Sequence, residues 1–110
     1  MFISIHVTKQ QGKGAEGFLK ALPELLKNSA TWKFESSSPL QATIQHKGLD
    51  SLPAPPKYSF KEESAGSVSA TLLDAKEWTE EQRAHALGML VYLCTTSLSS
   101  HVSRVFIEVW

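Results

Sequence analysis

A single cysteine, Cys94, is too few for an internal disulfide. The chain must therefore hold together by its core, and a reducing compartment suits it. No apolar run approaches the ~20 residues that span a bilayer. The opening residues do not read as a secretory leader: Phe2, Ile3, Ile5 and Val7 are interrupted by Ser4 and His6, and no basic stretch precedes them. The expected location is the cytoplasm, with no membrane contact. An excess of one charge is missing as well. Eleven basic and eleven acidic residues cancel, so nothing draws the chain over long range to nucleic acid or to an anionic bilayer. Internal repeats and low-complexity segments are also lacking.

What is present suits one domain over residues 1–110, a length at which folding buries ~65% of the unfolded surface. Met1 to Thr8 alternates, with Ile3, Ile5 and Val7 against Phe2, Ser4 and His6, which predicts a strand. Ala15, Phe18, Leu19, Leu22, Leu25 and Leu26 repeat at helical spacing, and Glu16 and Lys20 form a favourable i,i+4 pair. Pro23 falls inside this helix and either kinks it or opens a second piece. Four strands are expected next: Trp32 to Glu35, Leu40 to His46, and a hairpin of Lys57 to Glu63 with Val68 to Leu73. The intervening Lys47 to Pro56, with Pro53, Pro55 and Pro56, reads as an extended, solvated loop.

The stretch from Trp78 to Trp110 organises the rest. Thr79 and Gln82 have capping-box spacing, with Glu80 and Glu81 where a helix dipole favours acid. The helix that follows is expected to bury Ala84, Leu87, Val91, Cys94 and Leu98, widened by Ala86, Leu90 and Leu93. Gly88 suggests a close crossing. A last strand, Arg104 to Trp110, alternates Val105, Ile107 and Val109 with Phe106, Glu108 and Trp110. The order β-α-β-β-β-β-α-β predicts an α+β fold: a mostly antiparallel sheet with two helices packed on one face, ferredoxin-like or an elaboration of it. The first and last strands, the most apolar, are expected as central parallel neighbours.

If Ile3, Ile5, Val7, Val105, Ile107 and Val109 face the helices, then Phe2, His6, Phe106 and Trp110 belong to the other sheet face. Trp32, Phe34, Tyr58 and Phe60 fit either face, because register does not follow from sequence. An aromatic open face asks for a cover, since monomers avoid large exposed apolar patches. The leading expectation is therefore a binding or interaction module. It would self-associate, or take a protein partner or an apolar small molecule, at Phe2, His6, Phe106 and Trp110. A cofactor-independent enzyme with His6 as acid or base is the alternative. A third reading is an immunity- or inhibitor-type antagonist with an acidic surface from Glu62 to Glu81.

Other motifs point less far. Gly12-Lys13-Gly14-Ala15-Glu16-Gly17 is a literal G-x-G-x-x-G, and Glu35 lies about 20 residues on, as a ribose-binding acid would. Four polar residues separate it from the strand, and the strands after it look like hairpins. A looser anion site at Lys9, Gly12, Lys13 and Gly14 fits better. His6, His46, His85 and His101 have no zinc spacing, so no metal and no cofactor is expected. His85 is placed to pair with Glu81 on the helix surface. Cys94, on the apolar helix face, reads as a small core residue rather than a nucleophile.

Overall fold

The computed structural model describes residues 2–7, 14–38, 41–48, 50–64, 66–98 and 102–108. Of 2–7, 14–15, 36–38, 103–104 and 107–108 it describes the backbone alone. The elements follow the expected order: β1 (Phe2–Val7), α1 (Gly14–Leu25), β2 (Trp32–Ser38), β3 (Gln41–His46), β4 (Lys57–Ser64), β5 (Ser67–Leu73), α2 (Glu80–Thr95) and β6 (Val102–Glu108). Lys9, Gly12 and Lys13 of the glycine-bearing loop, and also His101, Val109 and Trp110, lie outside the described residues.

The strands form one six-stranded sheet in the order β2-β3-β4-β5-β1-β6, and every neighbouring pair is antiparallel. Strands β2 to β5 are a meander of hairpins. β1 then adds beside β5, and β6 closes on the far side of β1. This corrects the expectation for the terminal strands: β1 and β6 are antiparallel neighbours, and β6 is an edge. Strands β1 and β2 lie four places apart, so β1-α1-β2 is not a βαβ unit and the glycine motif does not occupy a dinucleotide-binding turn. Gly14 is the first residue of α1, and Glu35 instead pairs with Lys57 at 3.6 Å.

Register decides which side chains make the core. Trp32 lies opposite His46, Ile44 opposite both Phe34 and Tyr58, and Phe60 opposite both Ala42 and Ala70. Opposed residues share a face, and this face is buried: Trp32, Ala42, Ile44, Tyr58, Phe60, Val68 and Ala70 join one core cluster, with Phe34 packed against it. Both helices meet that face. Phe60 packs edge-on against Phe18 of α1 at 5.9 Å, and the Tyr58 hydroxyl donates to the Ala86 carbonyl of α2 at 2.6 Å. The four middle-strand aromatics therefore belong to the interior. The opposite face of β3 to β5 carries Gln41, Thr43, Lys57, Ser59, Lys61, Ser69 and Thr71, with Gln41 Nε2 donating to Ser59 Oγ at 2.8 Å.

Helix details refine the pattern. α1 runs unbroken through Pro23, which sits in its last turn, and the Leu26 N–H still reaches the Leu22 carbonyl at 3.0 Å. The Glu16–Lys20 pair forms at 2.8 Å. Both halves of the Thr79–Gln82 capping box are made. α2 buries Ala86, Leu87, Leu90, Leu93 and Cys94, while Ala84 is exposed and Val91 only half-buried. The buried face is thus rotated from the expected one, and Leu98 is buried just beyond the helix. Gly88 faces outward, with nothing within 4 Å of a Cβ added there, so it permits no close crossing. His85 is exposed and makes no ion pair with Glu81. The β2 strand runs past the expected end at Glu35 to Ser38, with a bulge between Phe34 and Ser36 that leaves Glu35 unpaired in the ladder.

Candidate functional site

A concavity lies where β2, the other edge strand, meets the end of α1. It is a groove of about 630 Å³, within the size range of ligand sites. Leu26, Trp32, Phe34 and Pro55 supply its apolar lining. Lys27, Lys33 and Lys47 also line it, all exposed, and none of its lining residues is acidic. Lys27 has Glu24 nearby at 3.8 Å, on the solvent side. Lys33 and Lys47 have no carboxylate within ion-pair distance among the described residues.

The groove is built by the β2–β3 hairpin. Trp32 begins β2 and His46 ends β3, so the register sets them opposite one another. Their rings meet edge-on at 4.8 Å, and Trp32 also leans on Tyr58 at 5.4 Å. A second hollow of about 300 Å³ shares this pair and is lined by Met89 and the exposed Tyr92 as well. Trp32 and His46 thus line two surface depressions.

His46 is fixed by the loop that follows. Its Nδ1 accepts from the Gly48 N–H at 2.8 Å, so the neutral ring carries its proton on Nε2. Gly48 has φ +91°, and a Cβ there would stand 3.1 Å from the Pro55 Cα. Glycine is needed for the conformation and for the contact alike. The His46 backbone N–H donates to the Pro56 carbonyl at 3.0 Å, and Leu52 and Pro56 are buried. The segment expected as solvated is exposed over most of its described length, but Leu52 and Pro56 turn inward and Pro55 lines the groove.

Burial, and to a lesser extent the Lys47 charge, hold His46 below the ordinary imidazole value of 6.5. Below that pH the unfolded chain takes up a proton that the folded chain resists, so stability falls as pH falls. We expect the urea midpoint to drop between about pH 7 and about pH 5. A His46→Gln variant should show a shallower drop. Equal slopes for the two proteins would show that His46 is not the group responsible.

Of the residues first singled out, Phe2, His6 and Phe106 lie away from this groove, on β1 and β6. Phe2, Ser4 and His6 lie in register with Glu108, Phe106 and Arg104 of β6. Phe106 is 44% exposed. Trp110, the fourth residue assigned to that surface, is outside the description. Cys94 is 1% exposed, and burial pushes its thiol up to about 12 from 9.0, so it is no nucleophile at neutral pH. No group of three or more His, Cys, Asp or Glu residues among those described is arranged to hold a metal. No described helix is long and apolar enough to cross a membrane.

His46 and Trp32 were the residues that composition and motif passed over. The available signal was phase: His46 continues the Ala42–Ile44 alternation onto the buried face. Compared with known protein families, with curated proteins and with solved structures, the chain gives no match.

Proposed function

We propose that this protein is a binding module and that its principal site is the Trp32–His46 groove. The ligand presents an apolar body together with negative charge. The observation that carries this reading is the pairing of an aromatic, proline-bearing lining with three lysines and no acid. Apolar surface supplies affinity for such a ligand, and the lysines select its sign. The His46 Nδ1 is already engaged by Gly48, which supports a positioning role for this ring.

Naphthoate, and a naphthylmethylammonium of the same shape but opposite charge, provide the test. Titration followed by backbone amide NMR is expected to move Lys33, Phe34 and Lys47 with the anion and not with the cation. Lys33→Glu combined with Lys47→Glu should weaken naphthoate by at least about tenfold, since two partly exposed charge contacts are reversed. Equal binding of both probes, or none by the anion, overturns the reading.

A second reading rests on Phe106. It is a large apolar side chain nearly half exposed on an edge strand, beside the register rows of Phe2 and His6. Self-association through this face would cover it. Native mass spectrometry should then give a dimer that Phe106→Ser converts to monomer. A wild-type monomer at tens of micromolar sinks this second reading and leaves the groove untouched.

A further inference from the structure

The groove runs beside β2, which has no strand on its outer side among the described residues. The Lys47 N–H donates to the Thr31 carbonyl at 2.9 Å, so Thr31 and Lys47 form a hydrogen-bonded pair. Trp32↔His46, Lys33↔Gln45 and Phe34↔Ile44 follow in register. In an antiparallel ladder bonded and non-bonded pairs alternate. Lys33 therefore bonds to β3, while the backbone groups of Trp32 and Phe34 point away from it, out of the sheet. The His46 N–H agrees with this phase, because it bonds on the β4 side, to Pro56. At the open edge the Trp32 N–H is answered by the Ser29 hydroxyl at 3.0 Å. The Trp32 carbonyl and both backbone groups of Phe34 face outward, and among the described residues no strand pairs with them.

We propose that β2 takes up an extended segment of another protein as a seventh strand, and that this segment alternates acidic with apolar residues. The inference rests on the groove reading and names the ligand for it. An added strand places alternate side chains on opposite faces. On one face they meet Phe34, Leu26 and Pro23; on the other they meet exposed Lys33, which lines the same groove from the opposite face of the strand. Apolar residues fit the first row and carboxylates the second. Charge also bears on the occupant. A strand that sets a lysine across from Lys33 is disfavoured, because like charges across a strand pair are destabilising, whereas a carboxylate there is favoured. The bulge at Glu35 limits pairing to the start of β2, so the segment is short.

The test uses a capped peptide of ~6 residues alternating glutamate and valine, with two N-methylated forms. One is methylated at every valine amide, the other at every glutamate amide. In a strand all amides of one alternation point the same way. One methylated form should therefore lose at least about tenfold in affinity, from two hydrogen bonds at roughly three- to tenfold each, and the other should stay within about twofold. Hydrogen exchange of the Phe34 amide should slow at least tenfold with the parent peptide. If the parent binds and both methylated forms bind alike, or Phe34 exchange is unchanged, strand addition is wrong while the groove reading stands. If naphthoate binds and the parent peptide does not, the ligand class is wrong. If neither binds, the groove reading itself fails.

Discussion

Tyr58→Ala is expected to remove about 3–5 kcal/mol of stability, the range for deleting a large buried ring. The side chain is 0% exposed, touches Trp32, and ties the sheet to α2 through the Ala86 carbonyl. Tyr58→Phe separates the two contributions. It keeps the ring and loses only the hydrogen bond, so it should cost about 1 kcal/mol. The Ala86 carbonyl retains the helix's own i+4 donor, which limits the penalty. Urea unfolding of both variants checks the ordering. A Tyr58→Phe loss as large as that of Tyr58→Ala would mean that the hydroxyl, not packing, dominates. The same residue has a signature in alkali. Burial pushes the phenol well above its ordinary 10.0. Above that pH the unfolded chain gives up a proton that the folded chain keeps, so stability falls as pH rises. The Cys94 thiol, raised from 9.0 to about 12, begins the same trend a unit earlier. Tyr58→Phe should remove the part of the slope that starts near pH 10 and leave the earlier part.

Trp32→Ala should be of similar size, about 3–5 kcal/mol, and it reaches the site as well. Trp32 is the wall on which His46 rests, at 4.8 Å between rings, so its removal opens His46 to water. The imidazole then returns toward its ordinary 6.5, and the acid-side loss of stability should shrink in this variant. Comparing the change in urea midpoint from neutral to mildly acid pH in wild type and Trp32→Ala reads this out. An undiminished acid slope in Trp32→Ala would show that Trp32 does not shield His46. Because Trp32 serves the core as well as the groove, binding variants belong on Lys33 and Lys47, whose exposed side chains can change sign without disturbing packing.

The order of elements was legible because each strand and helix carries its own local signal. Ala42 and Ile44 alternate with polar neighbours; Thr79 and Gln82 announce a helix start. The face of α2 was less so. Ala84 and Val91 are as apolar as Ala86 and Leu93, so spacing alone does not choose between two overlapping stripes, and the sheet decides. Sheet order was not legible at all, since it depends on contacts between residues far apart in the chain. The placement of Trp32, Phe34, Tyr58 and Phe60 hung on register, which a one-residue slip reverses. The groove was hidden for the same reason. Trp32 and His46 are unremarkable alone and meet only because the hairpin sets them opposite each other. Gly48 and Pro55, read as parts of a loose loop, matter through a contact that no local pattern announces.

The position of β1 sets the order in which the molecule can assemble. β2 to β5 pair with their immediate successors and can zip hairpin by hairpin. β1 has no partner among its near neighbours: Ile3 waits for Ala70 on one side and Ile107 on the other. Closing such long loops is slow and entropically costly before the contact repays it. During synthesis β1 therefore waits for β5 to emerge, and it gains its second neighbour only when β6 follows. Mutations in the meander should slow refolding, whereas those at the β1–β6 seam should chiefly speed unfolding.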